Sequence, residues 1–353
     1  MKIVVLCGGI STERDVSLIS GSKVFEAVKS RGHQALLLDV FLGYKGEITD
    51  DIFTKDIDWF REIPEFAGEA GFSIGKRKLD LSEVKALRKD KRKGEFFGPN
   101  VLEICRMADI VFLALHGDCG ENGKIQAAFD LCGIKYTGTD SLSSALAMDK
   151  TLSKHIFVAN GIQTPEYHVL QSAEDSFEPE YPSVVKVNSG GSSVGVYIVK
   201  NQKEYADAVR EAFSYDHKVL VEKYIEGREF TDCVIEGVAL PVVEIAPKDG
   251  FYDYKNKYEA GATVETCPAQ IDETLTKRVQ QVAVDAFRAL EIKTYARMDF
   301  RIDDKGEIYC LEANTLPGMT PTSLIPQEAA AIGKSFEDLC EWILTISLAK
   351  YDR

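Results

Sequence analysis

The sequence predicts an α/β chain in three parts, a parallel N-terminal domain followed by two α+β domains, and three observations predict it. The first is an apolar run, Lys2 to Cys7, followed by Gly8-Gly9, an amphipathic segment and a second apolar run, Ala35 to Val40. Strand, helix, strand in that order is the pattern of a parallel βαβ unit. The second is a middle segment in which strands Ser183 to Val187 and Val196 to Val199 flank a Gly/Ser loop, with a helix near Lys203 to Ser214 and a strand Lys218 to Lys223 after them. The third is a pair of apolar strands, Tyr295 to Ile302 and Ile308 to Ala313, joined by Asp303-Asp-Lys-Gly306. Gly306 is the turn signal of a hairpin with a short loop.

In the N-terminal part, Ile19, Val24, Phe25 and Val28 fall near helical spacing, and Gly32 ends that helix. A further buried strand, Ile110 to Leu115, runs into His116-Gly117. Ligands of open α/β sheets sit at the carboxyl ends of strands, so residues 8–9 and 116–120 are candidate site walls. His116 has two readings there, a structural hydrogen-bonder or a site residue. Between these strands lies an insertion, about residues 43 to 100. Its second half, Lys76 to Lys93, holds nine Lys/Arg against three acids. A charge run of this kind reads as a solvated lobe or hairpin with a charged helix; a dimer contact or a lid is the alternative, and the residues do not decide. A helix from Leu142 to Asn160 opens the middle segment. One from about Asp272 to Leu290 precedes the hairpin, and a final helix closes the chain. The expected domains are 1–138, 139–226 and 227–353.

Composition excludes several classes. The 353 residues are 45% hydrophobic and 28% charged, as in an ordinary soluble globular enzyme. Net charge is −14, from 42 bases against 56 acids, which argues against a general nucleic-acid or membrane-surface binder. No run approaches the ~20 apolar residues of a membrane-spanning helix, and the N-terminal apolar run is too short for a signal peptide. The eight cysteines form no Cys-x-x-Cys. In a chain of this size they read as free thiols of a reducing cytoplasm, with no zinc cluster.

Five motifs carry chemistry. Glu312 and Asn314 are two apart on one strand, so they share a face, and Asp299 approaches from the neighbouring strand. Three hard oxygen ligands on rigid strands suit Mg²⁺, which completes its shell with water and nucleotide phosphates; taken alone, the same residues make an ordinary hairpin with a polar edge. The loop Ser189-Gly-Gly-Ser-Ser-Val-Gly195 can wrap phosphate oxygens with backbone N–H groups, or serve as a flexible hairpin turn. It is neither a Walker loop nor a dinucleotide fingerprint. Lys186, just before it, is placed to pair with phosphate. Glu222-Lys-Tyr-Ile-Glu-Gly-Arg-Glu229 offers carboxylates for ribose hydroxyls and backbone for an adenine edge, or is a solvated strand end. Phe251-Tyr-Asp-Tyr-Lys-Asn-Lys-Tyr258, continuing from Glu259 to Pro268, is a long, aromatic and lysine-bearing loop, as lids often are, or is a plain surface loop. Finally, the Pro-Gly turn in Asn314 to Leu324 can expose a backbone N–H at Gly318, with Arg297 as a nearby charge for an oxyanion; taken alone, Pro-Gly is just a turn.

Together these pieces resemble the ATP-grasp ligases and, within them, the D-alanine–D-alanine ligase family. The resemblance rests on Gly8-Gly-Ile-Ser-Thr-Glu-Arg-Asp-Val-Ser17, Leu115-His-Gly-Asp-Cys-Gly-Glu-Asn-Gly123, Tyr136-Thr-Gly138 and Met148-Asp-Lys150. It continues through Gly191-Ser-Ser-Val-Gly195, Tyr252 to Tyr258, and Leu311-Glu-Ala-Asn-Thr-Leu-Pro-Gly-Met-Thr320. It covers nearly the whole chain apart from the 43–100 insertion.

The resemblance implies a three-domain ATP-grasp architecture that clamps ATP, and a role for each matching residue. Lys150, Lys186 and Lys257 would hold ATP phosphates. Glu222, Lys223, Tyr224 and Glu229 would hold adenine and ribose, with Phe251 and Leu311 also against the nucleotide. Asp299, Glu312 and Asn314 would carry two Mg²⁺ (or Mn²⁺). Glu13 would take the ammonium of the first D-alanine, with His116 beside it. Arg297 and the Gly318 N–H would polarise the reacting carboxyl, and Ser323 and Leu324 would meet the second D-alanine. Tyr258, Ser192 and Glu13 would form a network closing the lid. The implied reaction is ATP-dependent synthesis of D-alanyl-D-alanine through a D-alanyl phosphate, for peptidoglycan precursors, by a cytoplasmic homodimer. Relatives that make D-Ala-D-Ser or D-Ala-D-lactate, and a nucleotide-binding regulator without chemistry, are the alternatives. Lys257-Tyr258 is the pattern of the dipeptide-forming members. Two departures stand out: Asn122 where Asp is usual, and Leu316 where Ser is usual.

Overall fold

A computed structural model describes residues 1–55, 81–88, 94–248 and 261–352. In chain order the elements begin with β1 (Lys2–Cys7), α1 (Arg14–Ser30), β2 (Gln34–Asp39), α2 (Leu81–Leu87), α3 (Val101–Met107), β3 (Ile110–Leu113) and α4 (Lys124–Cys132). Next come α5 (Ser141–Met148), α6 (Lys150–Ala159), β4 (Tyr167–Leu170), β5 (Ser183–Val187), β6 (Val196–Val199), α7 (Gln202–Ala212) and β7 (Val219–Lys223). Then follow β8 (Arg228–Ile235), β9 (Val238–Ala239), β10 (Val243–Pro247), β11 (Thr263–Thr266), α8 (Glu273–Ala289), β12 (Tyr295–Ile302) and β13 (Ile308–Asn314). The chain finishes with α9 (Leu324–Ala331) and α10 (Phe336–Ala349). They divide into two compact units, one of residues 1–141 and 316–353, the other of residues 142–315.

In the first unit β1 is central, with β2 and β3 parallel on either side. Ile3, Val4, Val5 and Leu6 are wholly buried, as a parallel strand covered on both faces must be. Helix α1 packs close to β1 because Gly21 faces it: a Cβ there would lie 2.5 Å from the Cβ of Cys7. The expected final helix is two, separated by Gly333 at φ +78°. Ser335 opens α10 with a reciprocal capping box to Asp338. In the charged insertion, α2 buries Val84. Arg88 after it donates to the carbonyls of Glu95, Phe96 and Phe97 and lies 4.9 Å over the Phe41 ring, so this end of the insertion is tied to the domain.

The second unit holds two antiparallel sheets. One runs β4-β7-β5-β6, the other β11-β10-β8-β12-β13, with β9 on β8. The first packs Val185, Val187, Val199 and Val221 against Tyr205, Ala208, Val209 and Ala212 of α7. The second packs Phe230, Met298, Phe300 and Cys310 against Val279, Ala283 and Ala286 of α8. The helix expected over 142–160 is broken at Asp149. That residue is extended at φ −82°, ψ 101°, and its side chain accepts from Leu152 N as the N-cap of α6. Aspartate is a strong N-cap, and here it outweighs the continuous helical pattern.

Candidate active site

In the first unit the expected site residues gather at the carboxyl ends of β1 and β3. Gly8 and Gly9 take φ +76° and +85°, where glycine is unstrained. A Cβ on Gly8 would fall 2.2 Å from Asp39 Oδ2. The obstacle is an ion pair, Arg14 Nη2 to Asp39 Oδ2 at 2.6 Å, with side chains 0% and 1% exposed. Arg14 Nη1 also donates to Gly9 O at 2.7 Å, while Asp39 Oδ1 accepts from the N–H groups of Phe41 and Leu42 at 2.8 and 2.9 Å. The pair therefore ties the ends of β1 and β2 to the start of α1, beside Glu13. Sequence reasoning missed it, because nothing in the chain order links positions 14 and 39. Glu13 is buried. Gly117 lets the β3 loop come close to it, since a Cβ there would lie 2.7 Å from Glu13 Oε2.

Both ring nitrogens of His116 contact the protein. Nδ1 lies 2.8 Å from Leu316 O; a carbonyl only accepts, so Nδ1 carries a proton. In the neutral ring Nε2 then accepts from the Ser20 hydroxyl at 3.0 Å. Ser20 Oγ also receives the Met319 N–H at 3.3 Å. Glu121 holds both walls, with Oε2 accepting from Gly117 N at 2.7 Å and Oε1 from Leu316 N at 3.3 Å. The turn carrying Gly318 is thus fixed through Leu316 and Met319. Leu316 itself is a buried apolar side chain, which accounts for a leucine at this position. Asn122 donates to Asp118 Oδ1 and accepts from Lys124 N, joining the 118–124 loop. Ser323 Oγ accepts from Thr320 N at 3.1 Å and lies 3.0 Å from where a Gly318 Cβ would be. Leu324, next in chain, is buried at the start of α9.

In the second unit a cavity open to solvent is lined by residues of both sheets. Lys150, Lys186, Glu222, Lys223, Tyr224, Glu229, Asp299, Leu311 and Glu312 all border it, as does Arg301. One wall is the Gly/Ser loop, where Ser192 and Ser193 take φ 51° and 58°. Lys150 Nζ donates to Gly190 O at 2.7 Å. The start of α6 is pinned to the end of β5, because Asn188 Oδ1 accepts from Thr151 N and Oγ1 at 3.0 and 2.6 Å. Glu222 meets two lysines on one oxygen: Lys154 and Lys186 both lie 2.8 Å from Oε1. Burial pushes the Glu222 carboxyl up, but the two ammonium groups outweigh it and hold it below its ordinary value. Burial drives Lys154 down to about 8, against the pull of Glu222. Lys154 was not picked out in the sequence, where it reads as one more helical lysine. Arg301 donates to Gly227 O at 2.7 Å and lies 3.6 Å from Glu229 Oε2.

The hairpin brings the three expected metal ligands together. Asp299 pairs with Glu312 and Arg297 with Asn314 across β12 and β13, and a bulge follows Asp299. Arg297 grips Asp299 with two hydrogen bonds of 2.8 Å, Thr231 Oγ1 donates to it at 2.7 Å, and Asn314 Nδ2 donates at 3.0 Å. Lys150 Nζ lies 3.1 Å from Glu312 Oε2. Two carboxylates and one amide oxygen form a hard donor set, suited to Mg²⁺ or Mn²⁺ and unsuited to soft metals. Among the described residues no cluster of three His, Cys, Asp or Glu forms a metal site. Phe251, Lys257 and Tyr258 lie outside the described residues.

Two antiparallel sheets around a lysine- and carboxylate-lined cavity, in a chain that also carries a parallel α/β domain, define the three-domain ATP-grasp α/β class. Comparison with known families agrees. A D-ala D-ala ligase N-terminus model matches residues 2–139, and a D-ala D-ala ligase C-terminus model matches residues 155–345. The chain belongs to the D-alanine–D-alanine ligase family. It is 45% identical over 360 residues to the D-alanine–D-alanine ligase of Pediococcus pentosaceus, covering 100% of this chain and 99% of that one. Among solved structures it is similar to the Bacillus anthracis D-alanine–D-alanine ligase complexed with ATP, at 29% identity and TM-score 0.72, covering 99% and 98% of the two chains. It is also similar to the VanG D-Ala:D-Ser ligase of Enterococcus faecalis, at 28% identity and TM-score 0.70, covering 98% and 99%.

Proposed function

We propose that the chain joins two D-alanine molecules, with ATP as co-substrate, to supply D-alanyl-D-alanine for peptidoglycan precursors. The observation that carries this reading is the cavity in which Lys150, Lys186, Glu222, Asp299 and Glu312 converge, in a chain of this family. A carboxylate is a poor acylating agent, so it is activated by taking the γ-phosphoryl of ATP. Such a transfer needs in-line positioning and charge neutralisation more than covalent help.

Lys150 and Lys186 supply positive charge to the phosphates, with Lys257 as a third. Glu222, Lys223, Tyr224, Glu229, Phe251 and Leu311 hold adenine and ribose. Asp299, Glu312 and Asn314 would hold the divalent cations, whose chemistry when bound is to screen charge on the transferred phosphoryl. Arg297 now pairs with Asp299 and Lys150 with Glu312, and a divalent cation would take the place of these side-chain charges at the two carboxylates. Glu13 takes the ammonium of the first D-alanine. His116 acts by holding the turn of Gly318, whose N–H, with Arg297, polarises the reacting carboxyl. Ser323 and Leu324 meet the second D-alanine. Ser192 and Tyr258 join Glu13 in closing the lid, which keeps water from the acyl phosphate.

No helix among the described residues is long and apolar enough to cross a membrane; a cytoplasmic homodimer, with no nucleic-acid or membrane partner, completes the reading. The test is ADP release coupled to D-alanyl-D-alanine formation. One ADP per dipeptide, dependent on D-alanine, is expected; no ADP above background refutes the reading. Offering D-serine and D-lactate in competition separates it from the depsipeptide and D-Ala-D-Ser alternatives.

A further inference from the structure

Lys154 has no assigned role, yet it is the most deeply buried lysine at this cavity's floor, its side chain 0% exposed. It sits one turn after Lys150 on α6, so both lysines point to the same side of the helix. Lys150 borders the cavity, while Lys154 lies behind the lining. A buried ammonium is costly unless it is paired. Here it is held by Glu222 Oε1 at 2.8 Å and by Thr164 Oγ1 at 2.5 Å, with its Nζ 5.2 Å from the Tyr167 ring centroid.

The same oxygen of Glu222 also takes Lys186, at 2.8 Å. One carboxylate between two ammonium groups leaves a net positive charge. With a single lysine, the pair would be neutral, and Lys186 would have little field left for an anion. We propose that Lys154 is a positioning residue for the nucleotide phosphates: it shares the Glu222 carboxylate and so leaves the charge of Lys186 available at the cavity. This rests on the reading that the cavity takes an adenine nucleotide. Lys186 and Glu222 are themselves buried, and a charge held in such a setting acts on phosphate more strongly than one at the surface. The groups facing Lys154 are Glu222 from β7, Lys186 from β5, Cys310 from β13 and Tyr167 from β4. Burial outweighs the pull of Glu222 and lowers Lys154 to about 8, as a lysine closed into this floor requires.

The experiment compares equilibrium binding of ADP and of adenosine to the wild type, K154Q, K154M and K154R. Gln keeps hydrogen-bonding capacity without charge, and Arg keeps charge. The expected result is that K154Q and K154M weaken ADP by roughly tenfold or more while adenosine changes by less than about threefold, and that K154R recovers part of the ADP affinity. Equal weakening of both ligands, or unchanged ADP binding in K154Q, would overturn the proposal. If K154M does not fold, K154Q and K154R decide it. A wild-type chain that binds no ADP instead overturns the nucleotide reading itself.

Discussion

Glu312 carries the metal assignment most plainly, because its carboxylate is half-buried on β13, borders the cavity and lies 3.1 Å from Lys150 Nζ. Glu312→Gln keeps shape and removes charge. Turnover with ATP and D-alanine should fall at least ~10²-fold, with Tm within about 3 °C of the wild type; steady-state ADP release and a thermal melt check both, and wild-type turnover counts against the assignment. This part of the site was legible in sequence because strand periodicity alone puts residues 312 and 314 on one face. The short loop after Ile302 then brings Asp299 alongside. Lys154 and the Arg14–Asp39 pair were not legible. A lysine on a helix reads as solvent-facing until the sheet beneath it is known, and an ion pair between positions 14 and 39 exists only once β1 and β2 align.

At the scale of elements, the tight seat of α1 on β1 gives a stability prediction. Gly21→Val places a side chain where a Cβ already meets Cys7 at 2.5 Å. Overpacking of this kind costs about 1–3 kcal/mol, so Tm should drop by several degrees in a thermal melt; an unchanged Tm would mean that the helix moves away freely. The end of α10 gives a pH prediction. Lys350 Nζ donates to Gly138 O at 2.9 Å and lies 3.9 Å from the Tyr136 ring centroid. Burial lowers it to about 8, opposed by Asp130 and Asp140. An unfolded lysine titrates near 10.5, so between about 8 and 10.5 the unfolded chain binds the extra proton. Stability owed to this group is complete above the upper value and is lost as pH falls through the lower one. Wild type should therefore gain Tm relative to Lys350→Met as pH rises from 8 to 10; a constant difference contradicts the burial argument. The strands with strong apolar runs were legible, β1, β5, β6 and β12 to the residue, but β4 and β8 to β10 were not placed, and β11 (Thr263–Thr266) lies in a stretch that reads as loop because its residues are polar. The break at Asp149 was not legible either, because a continuous apolar period hides an N-cap inside it.

On the scale of the molecule, the acceptor decides the chemistry. D-alanine must lose its ammonium proton to attack, whereas D-lactate carries no such proton. Dipeptide formation should rise from pH 6 to 9 relative to depsipeptide formation, and dipeptide should dominate throughout. Mass analysis of products from mixed acceptors reads this, and a depsipeptide majority at pH 8 would contradict the D-alanine reading. Tyr258→Phe should move the same ratio toward the hydroxy acid. Domain count and class were legible because motif order runs the length of the chain. The grouping of residues 316–353 with residues 1–141 was not, since it depends on where the chain returns after β13, which no local pattern encodes.

The most direct measurement of the central claim is anomalous diffraction from crystals grown with ADP and Mn²⁺. The account predicts manganese peaks within about 2.2 Å of oxygens from Asp299, Glu312 and Asn314, touching the ADP phosphates. Manganese bound elsewhere, or ADP bound with those three side chains turned from its phosphates, would contradict it.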